Sequence, residues 1–227
     1  MSSTAVYRKG WGKIVAERYD ALRVLDGPYL DVGCASGDYV LTLNAQGERV
    51  RGFDVEENDQ WLQSPGLFSQ GSAEAIPFAD DSFATVYSFE VLEHLRQPEK
   101  ALTEMLRVAT RYVLLSVPNC EPPAELRASG LSFNHYTDPT HVNFFTADSL
   151  HALLESVGLE PVYVRKINRA KPEHLFFASQ GLPPVLVRLF SRLSQMNPWA
   201  RSYPMTLLAL ARVPGAAAAP DAEAKQG

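Results

Sequence analysis

The sequence predicts an α/β fold, a mostly parallel sheet with helices on both faces, and three observations carry that prediction. Short apolar runs alternate with stretches of helical periodicity from Tyr29 to Val117. The segments between those runs are long enough for the crossovers that parallel neighbours require. The first run enters a helical stretch through a turn of small residues bounded by Gly33 and Gly37.

Taken in order, Trp11 to Val24 reads as a helix carrying Ile14, Tyr19, Leu22 and Val24, broken at Gly27-Pro28. Tyr29 to Val32 reads as a first strand and Val50 to Phe53 as a second. Thr85 to Phe89 and Tyr112 to Val117 are two more, with Glu99 to Ala109 as a crossover helix between them. Residues 118–145 form a polar and aromatic loop long enough to suggest a functional role. Thr146 then caps a helix whose Leu150, Leu153, Leu154 and Val157 keep helical spacing up to Gly158. Glu160 to Val164 and Met205 to Val213 read as closing strands. Between them, at about 168–203, lies an insertion with an apolar helix at Leu186, Leu189, Phe190 and Leu193 that also carries Arg188 and Arg192. The Ala-rich stretch 214–227 is expected to lack fixed structure. The expectation is one domain over 1–213, with the insertion as a lid or packing element.

Composition narrows the function. A chain of 227 residues with net charge −5 lacks the clustered cations needed for a broad grip on nucleic acid. Two cysteines, Cys34 and Cys120, indicate no disulfide framework. Met1 to Gly10 has no signal-peptide apolar run, and no stretch approaches the roughly 18 apolar residues of a membrane span. A cytoplasmic protein is expected.

The turn after the first strand carries the most information. Its glycines stand four apart, unlike the G-x-G-x-x-G of dinucleotide sites, and Asp31 precedes them by two residues. A carboxylate there suits a ligand with an ammonium and a sulfonium better than a pyrophosphate. Gly33 and Gly37 are expected to admit close approach of a ligand to the backbone. Asp54, ending the second strand, can accept two ribose hydroxyls. Together these residues favour an adenosyl ligand.

From Tyr29 to Val164 the chain resembles the class I S-adenosylmethionine-dependent methyltransferases, in their type 11 and ubiquinone-biosynthesis-like group. The matching segments are Asp31 to Gly37, Gly52 to Asp54, Gly71 to Phe78, Glu90 to Leu95 and Leu114 to Asn119. Ala35 replaces the usual middle glycine, and Ser72 stands where an aspartate is common. The resemblance implies a Rossmann-like sandwich whose sheet has seven strands, mostly parallel with an antiparallel closing strand. It implies that S-adenosylmethionine lies against Asp31, Gly33, Cys34, Gly37, Asp54, Val55, Ser72, Ala73, Glu74 and Phe89.

Methyl transfer needs positioning and dry surroundings, and a base only if the acceptor arrives protonated. His94, His135 and His141 are the candidate bases. Glu90, Glu93 and His94, spaced to share a helix face, could join His141 around a divalent cation. That set looks like the metal-assisted subset of the family, which includes small-RNA 2′-O-methyltransferases and quinone O-methyltransferases. The leading expectation is O-methylation of a small molecule, a quinone-like phenol, or a glycan or lipid-linked acceptor. The segment Phe144 to Leu150 resembles members encoded with polysaccharide biosynthesis. An RNA methyltransferase, disfavoured by the acidic charge, and a non-catalytic binding module are the alternatives. The arginine-bearing helix at 183–196 is a candidate for peripheral membrane contact or a dimer contact.

Overall fold

The computed structural model describes residues 14–121, 138–170, 177, 180–194 and 203–217. A helix α1 (Ala16–Leu22) precedes β1 (Tyr29–Val32), α2 (Asp38–Ala45), β2 (Val50–Asp54), a 3₁₀ turn (Asp59–Gln63) and β3 (Phe68–Gln70). Then come β4 (Phe83–Phe89), a 3₁₀ turn (Leu92–His94), α3 (Pro98–Val108), β5 (Ala109–Pro118), α4 (Ala147–Ser156), β6 (Glu160–Ala170), α5 (Pro184–Ser194) and β7 (Tyr203–Arg212). The seven strands form one sheet in the order β3-β2-β1-β4-β5-β7-β6. β1 to β5 pair in parallel, and β7 runs antiparallel to both of its neighbours.

Strand alternation distributes the core over the two faces. Leu30, Val32, Val113 and Leu115 point to one face, where Leu102 and Met105 of α3 and Leu150 and Leu154 of α4 cover them. Tyr29, Tyr87, Tyr112 and Leu114 point to the other, beneath Leu22 of α1 and Val40 and Leu43 of α2. The same alternation aims Asp31 at the second face, beside Tyr87, its partner in the β1–β4 register.

Several boundaries differ from the sequence reading. β3 escapes it because three residues, two half-buried and one exposed, carry no periodic signal. Ala109 opens β5 instead of closing the crossover helix, and β6 continues to Ala170, so the insertion begins after that residue. Glu90 to His94 do not start a helix: Glu90 has φ 57° and only Leu92–His94 forms a single 3₁₀ turn. Thr146 caps α4 as expected and makes a full capping box with Ser149. Trp11, His135 and residues 218–227 lie outside the described residues.

Because β1, β2, β4 and β5 are parallel, Gly33, Val55, Glu90 and Asn119 follow their ends at one edge of the sheet. The strand order reverses between β1 and β4, and open α/β sheets place ligands at that switch point.

Candidate active site

The glycine turn is tied to β2 from both sides. The amides of Gly33 and Cys34 donate to the Phe53 carbonyl at 2.9 and 3.1 Å. Asp54 accepts from the Ala35 amide at 2.9 Å through Oδ2 and from the Glu56 amide at 3.2 Å through Oδ1. Ala35 itself has φ 45°, a strained value for a residue with a Cβ. The Trp61 indole N–H donates to its carbonyl at 2.9 Å and helps to hold it there. Trp61 stacks on Phe68 at 5.2 Å, and a Cβ on Gly37 would sit 2.4 Å from the Phe68 ring. A Cβ on Gly33 would meet Val91 at 2.3 Å. Positive φ and packing within the protein thus each demand glycine at these two positions.

Asp31 is 4% exposed. Burial, chiefly, holds its carboxyl well above the usual carboxylate range; the Asp54 charge adds to this and the Tyr87 hydroxyl partly offsets it. The buried Tyr87 hydroxyl lacks a hydrogen-bond partner of normal geometry among the described residues. A ligand ammonium would favour the ionised form of Asp31, so the pocket fits the cationic methionine portion of S-adenosylmethionine. Burial also pushes the Cys34 thiol up, which makes it a packing group under the turn. Val55 is 67% exposed beside Asp54, an open apolar surface that suits an adenine. Ser72 accepts from the Glu74 amide at 3.2 Å and shapes the adjoining loop with Ala73. Phe89 belongs to an aromatic group with Tyr39 and Tyr87, and the Arg18 guanidinium lies 5.4 Å from its ring centroid.

Glu90 parts from the other three proposed metal ligands. It pairs with Arg18 of α1 and accepts from the Ser116 hydroxyl at 3.2 Å. The sequence reading missed Arg18, which lies 72 positions away in the chain. Glu93, His94 and His141 do converge, with one ligand atom from each within 4.8 Å of the others. The Val142 and Asn143 amides donate to the Glu93 carbonyl at 2.8 and 3.1 Å, and the Asn143 side-chain amide donates to the Leu92 and Leu95 carbonyls. These bonds dock the segment after Asp138 onto the 3₁₀ turn and bring His141 to His94, ring centroids 4.8 Å apart.

The electrostatics of this cluster are unusual. Glu93 is 1% exposed, and neither carboxylate oxygen has a hydrogen-bond partner among the described residues. Burial first, then the Glu90 charge, raises its carboxyl well above the usual range. Burial also lowers the His94 imidazole and keeps it neutral. His94 Nδ1 lies 3.3 Å from the Thr140 carbonyl, which only accepts, so the proton belongs on Nδ1 and the Nε2 lone pair stands 4.0 Å from Glu93. Asp138, held below its usual range by hydrogen bonds from Thr140, approaches His141 at 3.8 Å.

Residues 8–164 match the model of a family described as a methyltransferase domain. The chain belongs to that family. Among similar proteins, an uncharacterised methyltransferase of Bacillus subtilis is 28% identical over 61% of this chain and 59% of its own length. A ubiquinone biosynthesis O-methyltransferase of a Ruegeria strain is 29% identical over 65% of this chain and 68% of its own. This methyltransferase-family chain thus spans about three fifths of the Bacillus relative and 32% of an uncharacterised Mycobacterium leprae methyltransferase. Its fold matches a putative methyltransferase of Bacillus halodurans with TM-score 0.61 at 18% identity, over 88% of this chain and all of that one. A SAM-dependent methyltransferase of Archaeoglobus fulgidus matches with TM-score 0.60 at 19% identity, over 87% and 91%. The fold is that of the Rossmann-like S-adenosylmethionine-dependent methyltransferases.

Proposed function

We propose that the chain transfers a methyl group from S-adenosylmethionine to a hydroxyl of a small acceptor, a quinol-like phenol or a glycan or lipid-linked sugar. The observation that carries this reading is the convergence of buried Glu93 with His94 and His141 next to the glycine turn. Val91 packs on Gly33, so the cluster adjoins the cofactor site. Oxygen acceptors arrive protonated and gain more from a base than thiols do. The resemblance to a relative named as an O-methyltransferase points the same way.

Bound S-adenosylmethionine supplies an electrophilic methyl group on a sulfonium. Asp31 would hold its ammonium, and the turn from Gly33 to Gly37 would take the rest of its methionine portion. Asp54 keeps acceptor capacity for ribose hydroxyls after its two backbone bonds. Val55, Ser72, Ala73 and Glu74 would border the adenine, and Phe89 with Arg18 would close the side nearest α1. The neutral His94 takes the acceptor proton at Nε2 while Thr140 holds Nδ1–H.

The orphaned oxygens of Glu93 favour an alternative arrangement, in which a divalent cation is held by Glu93, His94 and His141 and His94 Nε2 is a ligand instead of the base. Such an ion would lower the pKa of the acceptor hydroxyl. Glu90, engaged by Arg18, is not among its ligands.

Calorimetric titration with S-adenosylmethionine, followed by turnover with quinol, sugar-nucleotide and RNA acceptors with and without chelator, tests the reading. Saturable binding is expected, weakened about tenfold or more in Asp31→Asn through loss of a charge-assisted contact. Turnover should fall at least a hundredfold in His94→Ala. Loss of turnover in chelator, with cofactor binding intact, supports the cation. Folded protein that binds no cofactor overturns the enzyme reading in favour of a binding module, and turnover of RNA alone assigns the acceptor to that class.

A further inference from the structure

We propose that α5 docks on an anionic lipid surface. The helix is amphipathic the wrong way round for a soluble domain. At 3.6 residues per turn, Val185, Leu186, Leu189, Phe190 and Leu193 share one arc of about 140°. All five are exposed, with Val185 at 73%, Leu193 at 54% and Leu189 at 48%. The narrow opposite side, Val187 and Ser191, is the buried one. Arg188 and Arg192 border the apolar arc, both exposed, where their stems can lie along apolar surface while the guanidinium groups reach headgroups.

Charge selects the partner. From Arg165 to Arg201 the sequence holds seven of the chain's 21 Lys and Arg but only one, Glu173, of its 26 Asp and Glu. An acidic protein thus carries, along the sequence, a third of its positive charge in the segment that bears this exposed apolar arc, where Lys166 is paired to Glu121. Exposed apolar surface with cationic margins is the combination that binds anionic bilayers. A second copy of the chain would bring two arginine margins together with no acidic residue on the helix to pair them. RNA would engage the arginines and leave five large apolar side chains in water.

Topology links this surface to the site. Pro118 at the end of β5 pairs with Thr206, and Ala170 at the end of β6 pairs with Tyr203. The connection that carries α5 therefore leaves and rejoins the sheet at the edge where Gly33, Asp54 and Glu90 lie.

Sedimentation of the full chain with unilamellar vesicles of phosphatidylglycerol and phosphatidylcholine, against phosphatidylcholine alone, tests the proposal without cofactor or acceptor. Binding is expected to the mixed vesicles, falling with added salt. It should weaken at least tenfold in the double variant Leu189→Asp with Leu193→Asp, and about fivefold in each of Arg188→Gln and Arg192→Gln. All four side chains are exposed, so unchanged cofactor affinity in these variants would report an intact fold. Absence of binding to anionic vesicles, or binding indifferent to these substitutions, overturns the proposal and leaves the methyl-transfer reading standing. A dimer broken by Leu189→Asp, without vesicle binding, assigns the face to a second copy. Binding of single-stranded RNA in place of vesicles assigns it to nucleic acid.

Discussion

Asp31 and Glu93 are buried carboxyls whose ordinary charge the fold makes costly, and both sit where a cation is expected to arrive. Each is raised, so the folded chain keeps a proton that the unfolded chain has already lost. The stability this contributes is complete below about pH 4, the ordinary carboxylate value, and is lost as pH rises through the folded value. From pH 5 to pH 9 these two carboxyls should therefore pull stability down with pH, against the opposite pull of the lowered His94 below about pH 6.5, and urea unfolding of the ligand-free protein should show the net fall. Asp31→Asn and Glu93→Gln should each flatten that fall while impairing cofactor binding and turnover respectively. A wild-type profile that rises over this range would contradict the burial argument. These are residues at which function and stability oppose each other.

At the scale of elements, the cluster depends on one segment being stapled to another. Asn143 holds the Leu92 and Leu95 carbonyls, and its backbone with that of Val142 caps Glu93. The side-chain bonds are the only part a substitution can remove without touching the turn itself. Asn143→Ala should cost about 1–3 kcal/mol in stability, because two carbonyls lose a donor. It should lower kcat while leaving the affinity for S-adenosylmethionine unchanged, since the glycine turn is held independently by Phe53, Asp54 and Trp61. A parallel loss of cofactor affinity would mean that the two halves of the site are mechanically coupled, contrary to this division. Asn143 is thus a positioning residue, and a lone asparagine in a polar loop gave no sign of it beforehand.

For the whole molecule, the site lies between parts of the chain that must come together before a ligand can bind: α1 through Arg18, the first two strands, the turn after β4 and the segment after Asp138. A ligand that binds only the folded form stabilises all of them at once. At a hundred times its dissociation constant, S-adenosylmethionine should add about 2.7 kcal/mol, or roughly 5–10 °C in Tm for a chain of this size. Thermal denaturation with and without ligand measures this. The shift should be much smaller in Asp31→Asn at the same concentration, and an equal shift there would remove Asp31 from the cofactor site.

The sequence by itself determined what is written in contiguous stretches. Alternating apolar runs gave the sheet-forming segments, because a strand's two-residue period and a helix's turn are local properties of the backbone. The segment from Asp31 to Gly37 stood out for the same reason, since the turn proposed to hold the cofactor has its glycines and its acidic neighbour within seven residues. The short β3 and the end of the crossover helix were illegible because too few residues carry a pattern. Only the tertiary structure decided partnership. Glu90 and Glu93 look equivalent along the chain, yet a positive φ at Glu90 turns one towards Arg18 and leaves the other in a buried pocket with His94 and His141. Which carboxylate is neutralised by an arginine and which is left needing a proton or a cation depends on packing between segments up to 72 residues apart, which no local pattern encodes.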